Sequence, residues 1–105
     1  MEKCPMHKAC SFLGKPWRLI VIDKLLEKPR TYKELLNNLQ GISSRTLSKI
    51  LKELKENGIV ERVCDGKNYY YALTEKGKDL KPILLAIKRW GDKWLQENLQ
   101  SKVNL

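Results

Sequence analysis

The chain has 105 residues, and its 21 Lys and Arg against 12 Asp and Glu give a net charge of +9 at pH 7. That length suits one domain with a modest core, and the positive excess favours a polyanionic partner, with nucleic acid ahead of a membrane surface. No apolar run approaches the roughly 20 residues of a membrane span, and residues 1–8 are too polar for a signal peptide, so we expect a soluble, cytoplasmic protein.

Two helices are predicted at the N-terminal end. After a polar arm, apolar residues recur at helical spacing up to Gly14, so residues 1–14 are interpreted as an arm and a short helix. A second helix is predicted to begin at Pro16, because proline is tolerated at the first helical position. Its apolar face would consist of Trp17, Ile20, Val21, Leu25 and Leu26.

A helix-turn-helix pattern follows. Thr31 and Glu34 fit a capping box at the start of a short helix, and Gln40-Gly41-Ile42 ends it. Ser43 is a suitable N-cap for the next helix, residues 43–57, and Gly58 offers a left-handed exit from it. Two short helices joined by a tight glycine-containing turn are typical of DNA-binding helix-turn-helix units.

The helix at 43–57 has two chemically different faces. Leu47, Ile50, Leu51 and Leu54 fall at i, i+3, i+4 and i+7 and predict a packed face. The opposite face carries Arg45, Ser48, Lys49 and Lys52, which suits a nucleic-acid reading element. The alternative is a solvated helix whose lysines serve solubility.

After Gly58 the apolar period changes to two, which predicts an antiparallel hairpin over residues 59–73. The turn Asp65-Gly66-Lys67-Asn68 places Lys67 at its tip, with Arg62 nearby. A helix-turn-helix followed by such a hairpin predicts a winged helix, whose wing reaches the DNA backbone or the minor groove.

The last element, residues 74–99, begins at a Thr74 cap, and Pro82 predicts a kink or a restart within it. Its apolar stripe runs past what a small three-helix core covers, and an exposed patch of that kind is rare on monomers. We therefore expect a dimer interface shared with the first helix, although a helix folded back over its own core is the alternative. The expected interface residues are Leu13, Ile83, Ile87, Trp90 and Trp94.

Six passages carry a family resemblance: CP (4–5), LGKPW (13–17), YKEL (32–35), GISSRTLS (41–48) with LKEL (51–54), GIVER (58–62) and YALTEKG (71–77). In this order they resemble the HxlR-type winged helix-turn-helix transcriptional regulators, a MarR-like group. The resemblance implies an α+β, mainly α fold with a three-helix core and a two-stranded wing. It also implies a homodimer on operator DNA, held together by its N- and C-terminal helices. The short link between Cys64 and Tyr69 departs from the longer wing of such regulators.

Roles are assigned on the expected DNA face. Ser43 and Ser44, at a helix N-terminus, are candidate phosphate binders, and Arg45 and Lys49 are candidates for base edges. The small Ser48 lets the helix sit deep, and Lys52 reaches a phosphate further along. Arg62 and Lys67 are the wing contacts. A symmetric dimer would place two such helices about 34 Å apart on a roughly palindromic site.

The three cysteines, Cys4, Cys10 and Cys64, are an odd number in a chain without an export signal, so reduced thiols are expected. With His7 they form a possible zinc set, but the distance expected between Cys64 and the arm argues against metal. The resemblance implies that Cys4 matches an oxidant-sensing position, and Lys3 and Lys8 favour its reactive thiolate. An incidental Cys4 is the alternative.

No acid–base pair, phosphate loop or nucleophile motif is present in the sequence, so no enzyme activity and no cofactor are expected. The rival interpretation is a winged-helix module that binds protein or RNA without an operator. The sequence does not identify a small-molecule effector.

Overall fold

The computed structural model describes residues 4–95, and all structural statements below concern that part of the chain. The helices and strands run in the order α1 (Pro5–Leu13), α2 (Arg18–Glu27), α3 (Tyr32–Asn38), α4 (Ser44–Glu56), β1 (Val60–Cys64), β2 (Tyr69–Leu73), α5 (Glu75–Lys78) and α6 (Lys81–Trp90). A π-helical segment, Gly91–Leu95, extends α6. The predicted C-terminal helix continued to residue 99, and its positions 96–99 lie outside the described residues.

The start and the buried face of α2 differ from the prediction. The helix begins at Arg18 rather than Pro16, because Trp17 adopts a left-handed conformation with φ 73° and Pro16 therefore lies in the preceding turn. The residues that face inward also differ from the prediction: Ile22 is fully buried, whereas Ile20 is 49% exposed. Ile20 therefore does not belong to the core face.

The predicted helix-turn-helix is present, with its caps. The Thr31 Oγ1 accepts from the Glu34 amide at 3.1 Å, and the Glu34 carboxylate accepts from the Thr31 amide at 2.9 Å, which completes the capping box. Gly41 makes the turn with φ 91°, a conformation that suits glycine. Ser43 caps α4 by accepting from the Thr46 amide at 3.1 Å.

The C-terminus of α4 closes in a Schellman motif. The Ile59 amide donates to the Leu54 carbonyl at 2.9 Å, and the Gly58 amide donates to the Lys55 carbonyl at 3.1 Å. Gly58 has φ 74°, the left-handed exit expected from the sequence. The motif delivers the chain directly into β1, so the hairpin is held close to α4.

One hydrophobic core lies under α4. The predicted packed face of this helix is fully or nearly buried, and it meets apolar residues of α2, α3, the hairpin and α6. The buried set is Val21, Ile22, Leu25, Leu35, Leu39, Ile42, Leu47, Ile50, Leu51, Leu54, Ile59, Val60, Leu73 and Leu84. Because the inner face of α4 is anchored in this way, its polar face is held outward.

The hairpin pairs antiparallel, from Val60 opposite Leu73 at its base to Cys64 opposite Tyr69 near its tip. A third short segment adds to the sheet: the Arg30 amide donates to the Tyr71 carbonyl at 3.1 Å, and the Tyr71 amide donates to the Arg30 carbonyl at 2.7 Å. The wing is thereby tied to the segment that leads into α3.

The C-terminal element restarts, as Pro82 predicted. Thr74 caps the four-residue α5, and α6 begins one residue before Pro82, which sits in the first turn where its missing amide costs no helix bond. The whole arrangement is a winged helix-turn-helix, α+β and mainly α, as expected. Within residues 4–95 no helix combines the length and apolarity required to cross a membrane.

Candidate nucleic-acid interface

The outward face of α4 is exposed along its length. Arg45, Lys49 and Lys52 are exposed, and so is Lys55, one turn further on. No acidic residue precedes Glu53 in this helix, so the polar side chains of its first nine residues are all hydroxyls or cations. Such a face carries the chemistry that binds phosphates and base edges.

The two serines at the start of α4, Ser43 and Ser44, have different roles. The Ser43 hydroxyl accepts from the Thr46 amide and donates to the Thr46 Oγ1 at 3.0 Å, so its hydrogen bonds are made within the first turn. Ser44, the next residue, is exposed. Both lie at the N-terminus of α4, where amide groups and the helix dipole favour an anion.

Tyr32, at the start of α3, contacts the outward face of α4. Its hydroxyl donates to the Ser44 carbonyl at 2.9 Å and lies 3.0 Å from the Ser48 Oγ. A tyrosine hydroxyl has one proton, so with that proton given to Ser44 the Ser48 hydroxyl is the donor in the second contact. The Ser48 oxygen then keeps acceptor capacity on the exposed face.

A cationic recess of about 230 Å³ lies between α4 and the hairpin. Its polar lining includes the hydroxyl groups of Tyr32 and Ser48 and three cationic side chains: Lys52, Lys55 and Arg62. Arg62 also stacks on the wing, with its guanidinium carbon 4.2 Å from the Tyr69 ring centroid. Three cations beside hydroxyl donors form a surface suited to a phosphate group.

The wing tip is a short, ordered turn. The Asp65 carboxylate accepts from the Lys67 amide at 2.9 Å and the Asn68 amide at 2.7 Å, and Gly66 has φ 93°. The amides of Asn68 and Lys67 hold the pKa of Asp65 below its usual 3.8. Lys67 is exposed at this tip, as predicted, with the charged Asp65 beside it.

The predicted thiol positions lie apart from this face. Cys4 is the N-cap of α1, and its Sγ accepts from the His7 amide at 3.3 Å. The Cys10 thiol donates to the Met6 sulfur at 3.7 Å, one turn along α1, and Cys64 lies at the wing turn. All three cysteines are exposed and free. No group of three His, Cys, Asp or Glu side chains within 4–95 is arranged to hold a metal ion.

The expected interface residues fall into two environments. On α6 and the π-helical segment, Ile83 is 45% exposed, Ile87 48%, Trp90 57% and Trp94 53%, while Leu84 packs into the core. This helix is therefore not folded back so as to cover its apolar stripe. Leu13 is half-buried against the core, where it borders a groove of about 590 Å³ between α1 and the end of α4.

Three residues of the site were not identified from the sequence. Tyr32 was not assigned to the site, because no local pattern indicates that its hydroxyl reaches α4. Lys55 had a signal, because it follows Lys52 by three residues on the same helical face. Arg18 was not singled out: it is buried, and it binds Glu53 on the flank of α4 at 2.7 Å.

Comparison with known proteins agrees with this geometry. The HxlR-like helix-turn-helix family matches residues 12–99. Over 97 residues the chain is 36% identical to the HTH-type transcriptional regulator YodB of Bacillus subtilis, a match that covers 89% of this chain and 87% of that regulator.

Solved structures give the same relationship. The reduced form of YodB from B. subtilis matches with a TM-score of 0.77 at 36% identity, over 89% of this chain and 95% of that one. Its quinone-bound form matches with a TM-score of 0.75 at 38% identity, over 87% and 100%. The redox regulator HypR in its oxidized form matches with a TM-score of 0.79 at 30% identity, over 86% and 96%.

Proposed function

The chain belongs to the HxlR-like helix-turn-helix family of transcriptional regulators, and we propose that it acts as a homodimer that binds a roughly palindromic operator in double-stranded DNA. The observation that carries this proposal is the outward face of α4, where hydroxyls and cations lie opposite a fully packed face. The matched relatives are regulators, which agrees with the expectation that the chain is not an enzyme.

Within the major groove, Arg45 and Lys49 read base edges, since an arginine binds guanine O6 and N7 with two hydrogen bonds. Ser48 accepts from an exocyclic amine of a base, because its own proton is directed to Tyr32. Ser44 and the first-turn amides of α4 bind a phosphate, and Ser43 contributes mainly by capping the helix.

The backbone contacts continue toward the wing. Lys52, Lys55 and Arg62 surround the recess between α4 and the hairpin, which fits one DNA phosphate. Lys67 extends the charged surface along the wing, although the short turn limits how far it reaches. These contacts supply affinity and its dependence on salt, while the base contacts supply selectivity.

The exposed stripe on α6 supports the homodimer. Ile83, Ile87, Trp90 and Trp94 form an apolar surface that a second copy covers through a two-fold axis. That symmetry presents two α4 helices about 34 Å apart, one turn of DNA, and explains why a near-palindromic site is expected.

Selection of bound sites from random duplexes, followed by affinity measurements on the selected site, tests the proposal. Arg45→Ala should cost about 1–3 kcal/mol on that site and relax selectivity at one base pair, whereas Lys52→Ala should weaken all duplexes alike and lower the salt slope. Lys78→Ala, on the exposed side of α5, is the matched control and should bind as the parent does.

A parent protein that shows no preferred duplex and a shallow salt dependence would contradict operator binding and favour the protein- or RNA-binding module. Unchanged affinity in both Arg45→Ala and Lys52→Ala would contradict the assigned face instead.

Oxidant control through Cys4 is a further part of the proposal. Its thiol is exposed at the N-terminus of α1, and the relatives include the redox regulator HypR and a quinone-bound form of YodB. Diamide or a quinone should change operator affinity in the parent and in Cys10→Ser and Cys64→Ser, but not in Cys4→Ser. A response that survives in Cys4→Ser would remove this residue from the mechanism.

A further inference from the structure

Arg18 is unusual among the charged residues of this chain. Only 6% of it is exposed, whereas every other charged residue within 4–95 is at least partly open to solvent. Burial of a charge is costly unless the charge is paired, so the contacts of this side chain identify what holds it there.

The guanidinium contacts two different helices. One terminal nitrogen, Nη1, donates to the Phe12 carbonyl near the end of α1 at 3.0 Å, and the other, Nη2, donates to Glu53 Oε1 on α4 at 2.7 Å. The guanidinium carbon also lies 4.3 Å from the centroid of the Phe12 ring. The buried Nε has no hydrogen-bond partner in the protein.

These contacts add a polar link between α1 and α4 to the packing of Phe12 and Leu13 on the core. The last carbonyls of α1 are helix-terminal groups that favour a cation, and the carboxylate of Glu53 accepts the same guanidinium. Because the guanidinium is planar and its donors are fixed in one fork, a displacement of Phe12 changes the geometry available to Glu53.

Phe12 lies beside an open groove. Phe12 lines the groove of about 590 Å³ that separates α1 from the end of α4 and the start of the hairpin. Glu53 lies one turn beyond Lys49 and two beyond Arg45 on the same helix. One side chain, Arg18, therefore connects α1 to the helix that carries the proposed reading residues.

We infer that Arg18 is a coupling residue, which makes the position of α1 an input to the DNA affinity of α4. The inference rests on the proposed DNA-binding function for one of its two measurements. A displacement of Phe12 therefore alters operator binding through Arg18 and Glu53.

The test is a set of thermodynamic cycles in the full-length chain. Phe12→Leu, which removes the stacked ring, should weaken binding to the selected duplex by about fivefold or more in the parent background, the size of a typical coupling between sites. In Arg18→Met and in Glu53→Leu the same change should shift the Kd by less than about twofold, because the first variant lacks the donor and the second lacks the acceptor of the Arg18–Glu53 hydrogen bond. Comparison within each background cancels the charge that Arg18→Met or Glu53→Leu removes.

Leu26→Val, at a half-buried position of α2 eight residues after Arg18, is the matched control and should have the same small effect in all three backgrounds. If Arg18→Met does not fold, Arg18→Lys, which keeps the charge and loses the fork, replaces it. An equal Phe12→Leu effect in every background, or none in the parent, would overturn the inference.

Hydrogen exchange supplies a measurement that needs no DNA. Phe12→Leu should raise the exchange rate of the α4 amides in the parent and leave it unchanged in Glu53→Leu. If no duplex binds the parent, the proposed function fails while this measurement still decides the coupling. Unaltered α4 exchange in the parent background would refute the coupling itself.

Discussion

Replacement of Trp90 by serine tests whether the apolar face of α6 is the dimer interface. Trp90 is 57% exposed near the end of α6 and has exposed Ile83, Ile87 and Trp94 along the same stripe. Serine removes the apolar ring at a surface position, so the core of the protomer is left intact. The expected result is loss of the dimer with little change in the fold of each protomer.

The magnitude follows from the area that a partner would cover. Of the roughly 250 Å² that a tryptophan offers, the exposed 57% is about 140 Å², worth about 3.5 kcal/mol at 25 cal/mol per Å². Two-fold symmetry doubles this to about 7 kcal/mol per dimer. Only part of the free energy calculated from buried area contributes to the measured association. Loss of even one third of the 7 kcal/mol, about 2.3 kcal/mol, raises the dimer dissociation constant by about 50-fold.

Sedimentation equilibrium over a concentration series measures the effect. Trp90→Ser should be largely monomeric at concentrations where the parent is a dimer, and it should bind a single half-site in place of the full operator. Val63→Ser is the matched control, because Val63 is 44% exposed on the hairpin, away from α6. A Trp90→Ser dimer as stable as the parent would refute the assignment of this face.

Other substitutions test the core, the Arg18–Glu53 ion pair and the contact of Tyr32 with α4. Leu54→Ala should lower the free energy of unfolding by about 2–5 kcal/mol in urea denaturation, since Leu54 is fully buried under α4. The hydrogen bond from Arg18 holds the pKa of Glu53 below its usual 4.5. The stabilisation that ionised Glu53 contributes is therefore present above pH 4.5 and is lost as the pH falls through the folded pKa of Glu53. Glu53→Gln should therefore make the free energy of unfolding fall less steeply toward acid pH. Tyr32→Phe should cost about 0.5–1.5 kcal/mol of stability in the same assay and weaken operator binding, because it removes the bond to the Ser44 carbonyl.

The helix-turn-helix was predictable because its signals are local. The Thr31 capping box, the Ser43 cap and the Gly58 exit each depend on residues within one turn of a helix end, and all three occur as expected. The period of the apolar residues in α4 likewise identified its buried face without knowledge of its neighbours. Local chemistry therefore predicted which face of α4 points outward.

The register of α2 and the position of Arg18 were not predictable in this way. The start of α2 depends on a left-handed Trp17, a conformation that is rare outside glycine. Burial of Arg18 depends on Glu53, a residue 35 positions away that only the folded chain brings near. The hydroxyl of Tyr32 reaches Ser48 across 16 positions in the same way. Contacts of this range leave no periodic signal in the sequence.

Helix α2 connects the two surfaces that a dimeric regulator has to hold at a fixed distance. Arg18, at its start, binds Glu53 on α4, while Asp23, one and a half turns later, binds Lys88 on α6 at 2.8 Å. The Asp23 hydrogen bond raises the pKa of Lys88, so the Lys88 ammonium keeps its charge to a higher pH. The spacing of two α4 helices in a dimer is the offset of α4 from α6 within one protomer, repeated through the two-fold axis. Since α2 is bound to both helices, its packing sets that offset, and in the proposed dimer it also sets the separation of the half-sites.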